Sequence, residues 1–595
     1  MIRRYFLSIL FLSLCTFLNN VSFAQNVVNG GFELSNQNGM ARNWITDDAK
    51  GKFKIILNDK EVRSGKYSLE INGNGTVASG SGIVANIFGA GSSTKVNTVQ
   101  LTGWIKSNTR IDSSVSLFIQ RGSKIIRYNT KTKFKKGWNK LVLNYTIPGG
   151  ESWYRFYYGM EVNSNTRVLL DDVALIVNGV RVDDPNSLYR KPTQKQVQWL
   201  ANSLSPIAGL KAGHLDNDLV DIGKAIGDAR IIGVGEPTHG TSEVSTFKLR
   251  LLEFMVNQKG VTTIALEESI ATCDQMNSLV NEKVPALTDS LLSMPFYKLW
   301  KTQEMLSLFN WITEYNLSHV QKLRFTGFDM EDLGLKNSRK MLRDYGSRND
   351  VAIHHQTLLV DKDLESLLLL SRESMDNEKT MTAAKLVKKD LTALDSLIVL
   401  EGENIGKQTI FELQSYLRVC KQWIENRFFV GSRDEFMADN IKVFLDAHPG
   451  EKVFLWAHNF HVANANTGGQ KTMGAFLKEK YQADYYPISI TSGGGSYMAA
   501  SDYSQKNWKS YELERPYVGT YEYVFSQVKP DNFFVDLSVG INEPDASWLN
   551  LPFKQLDLGY VYSGEDHYQY HGTLLKSFNG IFFIRNSNAS HSLVH

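Results

Sequence analysis

The chain has 595 residues, too many for one ordinary core, so two or more domains are expected. Hydrophobic residues make up 42% and charged residues 21%, which excludes disordered and collagen-like classes. The formal charge of +3, spread without long basic runs, leaves no electrostatic footprint for nucleic acid.

The opening segment MIRRYFLSILFLSLCTFLNNVSFAQ has Arg3 and Arg4, an apolar stretch from Tyr5 to Leu18, and Ser22-Phe23-Ala24 before Gln25. It reads as a secretory signal over residues 1–24. Its apolar run is short of the roughly 20 residues that a membrane span needs, and no later apolar stretch is long enough. A periplasmic or secreted protein with no membrane span after cleavage is expected. Cys273 and Cys420 then remain, too few for a disulfide framework and without metal-ligand spacing.

Residues 26–182 run in short segments rich in β-branched and aromatic residues, among them LTGWIKS, VSLFIQRG, KLVLNYTIP and WYRFYYGMEV. Separated by Gly, Asn and Ser, they predict an antiparallel β-sandwich. The region opens with NGGFELSNQNGMARNW and closes with RVLLDDVALIV. With its Asn-x-x-Phe-Glu phrase and paired Asp it resembles carbohydrate-binding jelly rolls. That resemblance implies a glycan partner; fold alone would leave an accessory domain.

From residue 186 to 595 apolar strands alternate with longer amphipathic segments, the pattern of an α/β domain with a mostly parallel sheet. Strands are expected at 229–235, 262–267, 323–328, 452–457, 485–490, 532–537 and 580–584. Thr241-Ser242 leads into a helix with Phe247, Leu251, Leu252 and Met255 on one face. Residues 335–448 are far longer than a crossover requires, and predict a helical insertion able to wall a substrate cleft.

Ligands of open parallel sheets bind beyond the carboxyl ends of the strands. There this chain places Glu236 and His239, then Glu267 and Glu268, then Asp329, then His458 and His461. Any one of them is more often a satisfied structural group. Gathered at one edge they would suffer costly desolvation unless they pair or face a wet cleft, as functional sites do. Gly-x-Ser-x-Gly, the phosphate-binding Gly-x4-Gly-Lys and His-Glu-x2-His are all missing, so serine acyl transfer, nucleotide transfer and zincin chemistry lose support. A histidine with carboxylates can deprotonate water directly.

The runs IIGVGEPTHGTSEVSTFKLRLLEFMV, IALEES, TGFDMED, SRDEFMADNI, VFLWAHNFHVAN and GYVYSGEDHYQYHGTLLKSFNGIFFI resemble successive blocks of the erythromycin esterase family, in order over residues 200–585. Phe578-Asn579 departs from the family's Phe-Asp. The resemblance implies a carboxylic ester hydrolase that opens a macrolide-type lactone and gives antibiotic resistance without a cofactor. It implies His239 as general base, with Glu236, Glu267 or Glu268, His458 and His461 completing the site. A carboxylate beside His239 would fix its tautomer and favour its imidazolium. Donors for the oxyanion are protonated His458 or His461, or Lys248 or Arg250 on the first helix, and Asp329 joins Lys248 and Arg250 as a candidate for substrate binding. Two other readings stay open. One is the same mechanism on another, glycan-associated ester. The other is a metal or haem binder or metal-dependent peptidase, since Glu236, His239, His458 and His461 are also ligand types.

Overall fold

The computed structural model describes residues 29–593 except 36–38, 43, 74–79, 91–96, 108–114, 122–123, 128–134, 148–153, 164, 178, 182–191, 214–215, 282–286, 295–296, 374–376, 402–405, 468–469, 503–506, 552, 563–566 and 570–571. The expected signal at 1–24 and the expected domain boundary near 186 lie outside the described residues.

The first region forms two antiparallel sheets, as its alternating segments predict. One orders Ile45–Asp47, Gly82–Ala90, Tyr154–Val162, Val115–Arg121 and Lys124–Arg127; the other orders Phe53–Asn58, Ser68–Gly73, Val168–Val177, Asn97–Ser107 and Asn139–Ile147. Leu117 and Met160 of the first share one core with Leu69, Leu101 and Leu170 of the second. The motifs that suggested a jelly roll hold a loop in place. Glu33 accepts from the amide of Lys66 at 2.8 Å, and buried Asp171 accepts from that of Arg63 at 2.8 Å.

The second region is built on an eight-stranded sheet: β1 (Leu204–Pro206), β2 (Ile231–Val234), β3 (Thr263–Leu266), β4 (Arg324–Gly327), β5 (Val453–Trp456), β6 (Tyr485–Ser492), β7 (Asn532–Asp536) and β8 (Gly580–Ile584). Their spatial order is β1-β7-β8-β6-β2-β5-β3-β4. From β8 to β4 every pairing is parallel, whereas β7 and β1 close the other edge antiparallel. All seven expected strands are present, and the sheet is mixed because β7 runs against β8. β2, β3 and β5 are buried throughout, as strands covered by helices on both faces must be.

The helix α1 (Ser242–Lys259) follows β2 and covers the sheet with the face that its spacing predicts. Phe247, Leu251, Leu252 and Met255 are fully buried, and the Phe247 ring stacks on Phe582 of β8 with centroids 3.6 Å apart. α1 ends at Gly260, whose φ of 70° is a left-handed cap open to glycine at little cost.

The expected helical insertion divides in two. Helices α2 (Lys336–Asn349), α3 (Val351–Glu373), α4 (Glu378–Leu400) and α5 (Lys407–Phe428) pack Leu342, Leu364, Leu391 and Leu417 into a separate core, which Ile270 and Ala271 join from the segment after β3. The next helix, α6 (Arg433–Ala447), is a crossover on the sheet, with Met437, Ile441 and Leu445 against Val453 and Leu455 of β5. The insertion therefore ends before Arg433 rather than at 448. Cys273 and Cys420 are buried free thiols in separate cores. No helix of the described residues is long and apolar enough to cross a membrane.

Because Phe247 is fully enclosed between α1 and β8, Phe247→Ala is expected to cost about 3–5 kcal/mol of stability, read as a lower denaturant midpoint with an unchanged slope. A loss under about 1 kcal/mol would show that this contact does not anchor α1.

Candidate active site

Four neighbouring strands, in the order β2-β5-β3-β4, end at one edge and deliver the groups that the sequence singled out. The loop after β2 carries Gly235, Glu236 and His239. A side chain at 235 would meet Asn459 Oδ1 at 2.1 Å, so the loop runs against the turn after β5 only with glycine there. The amide of Asn459 donates to Glu236 O at 2.8 Å. Beyond His239, Gly240 O accepts from the amides of Met498 (2.8 Å) and Ser590 (2.9 Å), and a Cβ at 240 would meet Met498 O at 1.9 Å.

Glu236 is the hub. Its Oε1 lies 2.8 Å from His239 Nδ1, while its Oε2 accepts from Lys248 Nζ at 2.7 Å and Trp456 Nε1 at 2.8 Å. Burial favours the neutral acid, but the Lys248 ammonium and the His239 contact outweigh it and hold the carboxyl at about 2. Burial pushes Lys248 down to about 8 against the pull of Glu236. With an ionised acceptor at Nδ1, His239 carries its proton there and presents the lone pair of Nε2. Burial disfavours a charge on His239, yet the bond to Glu236 and the field of Glu267 prevail and raise its pKa above the usual 6.5.

The other two histidines are fully engaged. His458 caps the short helix α7 (Asn459–Val462), its Nδ1 accepting from Phe460 N at 3.4 Å. That leaves Nε2 as the donor, toward Pro237 O (3.3 Å), Leu558 O (3.2 Å) and Asp557 Oδ1 (3.2 Å). Burial lowers the His458 pKa, so this ring is neutral and not the protonated donor that the sequence allowed. His461 bonds Asp434 Oδ1 through Nδ1 at 2.9 Å, and its Nε2 lies 3.4 Å from Glu267 Oε1. Those carboxylates overcome its burial and raise its pKa. Among the described residues, only His239 of the three keeps a ring nitrogen without a protein partner.

Glu267 belongs to this cluster. Its Oε2 accepts from the His458 amide at 2.9 Å and its Oε1 from Arg433 Nη2 at 3.1 Å. Burial works against its charge, but His461, His239 and Arg433 hold its pKa well below the usual range. Glu268 does not belong. Successive residues at a strand end point opposite ways, and Glu268 bonds the Ser269 amide (2.9 Å) where burial raises its pKa well up, near Asp332 and Asp329.

Three further expectations are corrected. Lys248 is 0% exposed behind Glu236, so it orients that carboxylate and does not meet substrate. Arg250, two residues on and thus about 200° around α1, faces away and pairs with Asp218 and Gly209 O. Asp329 is buried, with Arg433 Nε donating to it at 3.0 Å, so it serves Arg433 rather than a ligand. Sequence reading missed Arg433, Asp434, Trp456 and Asp557. Arg433-Asp434 could have been suspected as the start of a Ser432-capped helix, but its helix was assigned to the insertion. Among the described residues no three His, Cys, Asp or Glu side chains converge as the ligands of a metal would.

The family model for erythromycin esterases matches residues 256–587, more than half of the chain. The chain belongs to the erythromycin esterase family. The matched span starts after His239, whose place in the site rests on the geometry above. Among its relatives, the type II erythromycin esterase of Escherichia coli is 25% identical over 438 residues, 66% of this chain and 98% of that protein. A solved Bacillus cereus structure superposes with a TM-score of 0.58 at 23% identity, covering 68% of this chain and all of that one. An erythromycin esterase variant in its open conformation gives 0.50 at 17% identity, over 64% and 96%.

Removing the Lys248 charge strands a buried carboxylate. Lys248→Met should cost about 3–5 kcal/mol in denaturant unfolding, and adding Glu236→Gln should recover part of that loss. Additive losses would show that the two groups are not coupled. The folded pKa of Glu236 lies below its usual 4.5, so its contribution to stability is full above that pH and is lost as pH falls toward 2. Thermal melts from about pH 6 to about pH 3 should fall more steeply for the wild type than for Glu236→Gln.

Proposed function

We propose that the protein is an exported carboxylic ester hydrolase that opens a macrolide-type lactone with water activated at His239, giving resistance to such antibiotics. The observation that carries this reading is the free Nε2 of His239, backed by an ionised Glu236. Nε2 takes a proton from water, and the hydroxide attacks the ester carbonyl. Glu236 and Glu267 stabilise the imidazolium that forms. Arg433, one third exposed, is the cation assigned to the oxyanion, with Glu267, Asp329 and His461 fixing its guanidinium. The tetrahedral intermediate collapses with cleavage of the C–O bond to the leaving alkoxide. The proton on His239 passes to that alkoxide, which restores the base and leaves an acid and an alcohol.

Family membership supports hydrolysis, and the type II relative supplies the substrate by its name. Export rests on the basic and apolar start of the chain.

Erythromycin incubated with the wild type should gain one water by mass spectrometry, and His239→Asn should lose at least about a hundredfold in rate. Turnover by the variant at the wild-type rate would remove His239 from its role, while an unchanged drug with wild type would move the substrate to another ester. The base works only when deprotonated and its pKa is raised, so kcat/KM should fall on the acid side along a limb lying above about 6.5. Glu236→Gln should lower that limb. A rate flat from about pH 5 to about pH 8 contradicts a histidine base.

A further inference from the structure

The β-sandwich meets the second domain through a buried ion pair. Arg42 of the sandwich and Glu514 of the second domain are 6% and 7% exposed and bonded to each other. Arg42 Nη2 also donates to Ser35 O at 2.9 Å, which ties the guanidinium to its own module. Its Cζ lies 3.7 Å from the centroid of the Tyr517 ring. Burying two charges is costly and is compensated only while each keeps its partner, so the pair favours one docked arrangement over a swinging tether.

From Glu514 a continuous set of contacts leads to the site. The Glu514 amide donates to His567 Nδ1 at 3.1 Å, and Tyr568 OH donates to Glu514 O at 2.8 Å. Tyr517 packs edge-on against Tyr568, with centroids 5.4 Å apart. Tyr568 pairs with Leu556 across a short antiparallel ladder, and the Asp557 amide donates to His567 O at 3.0 Å. Asp557 and Leu558 are the groups that His458 Nε2 faces, and the Leu558 amide donates to Pro237 O, two residues before His239, at 2.8 Å.

We propose that the sandwich is a fixed part of the catalytic unit, with Arg42 as a positioning residue: its buried pair with Glu514 sets the ladder that holds His458 and the His239 loop. The activity part of this inference rests on the hydrolase reading; the structural part does not. The test compares the full chain with its Arg42→Met, Arg42→Lys and Glu514→Gln variants by hydrogen exchange and by turnover of p-nitrophenyl acetate.

Arg42→Met and Glu514→Gln should each speed amide exchange at Leu556, Asp557, Leu558 and Tyr568 by about tenfold or more, with β2 and the sandwich strand Val168–Val177 unchanged. Arg42→Lys should restore part of the protection. Turnover should fall in kcat by about tenfold with KM within about twofold, as expected when a site is misaligned rather than stripped of substrate contacts. Unchanged exchange at 555–569, an equal rise everywhere, or faster exchange there with normal kcat would each overturn the proposal. A wild type inert toward the probe ester would count against the hydrolase reading, and exchange alone would then decide the docking.

Discussion

The site depends on keeping one carboxylate ionised where water cannot reach it. Glu236 is buried, and a lone buried carboxylate would take up a proton. The Lys248 ammonium and the Trp456 indole N–H occupy one oxygen and leave the other for His239. That division sets the histidine tautomer, and the tautomer leaves Nε2 free to face a substrate. Lys248 reaches Glu236 because Phe247 and its neighbours seat α1 on the sheet. A packing contact thus decides a proton's position.

The strand order adds a second constraint. β2, β5, β3 and β4 are neighbours in space though they are distant in sequence, and each ends at the same edge. Arg433 and Asp434 come to that edge from the start of α6, with Arg433 on Glu267 and Asp329 and Asp434 on His461. Glu236, Glu267, Asp329 and Asp434 each have a basic partner there. Of the three histidines, His239 alone among the described residues keeps a ring nitrogen without a protein partner.

Much of this was legible in the sequence because its signals are local. Seven strands showed as apolar runs, the β-sandwich as short alternating segments, and α1 as a helical spacing of Phe247, Leu251, Leu252 and Met255. His239, Glu236, Glu267, His458 and His461 stood out by lying just after strands. The errors share a cause. Lys248 and Arg250 are two residues apart, and which one faces the sheet depends on how α1 is rotated. Glu267 and Glu268 are adjacent, and only the strand's orientation separates the member of the cluster from its neighbour.

By itself the sequence determined the two kinds of region, the strands of the central sheet, and the residue types available for acid and base chemistry, because periodicity and strand-end position are written in consecutive residues. The tertiary structure decided which charges meet. It placed Lys248 behind Glu236, took Arg250 away to Asp218, and spent Asp329 on Arg433. It also brought Arg42 of the sandwich onto Glu514, 472 positions away. Such pairings form only when packing has set distance and orientation, and no local pattern encodes them.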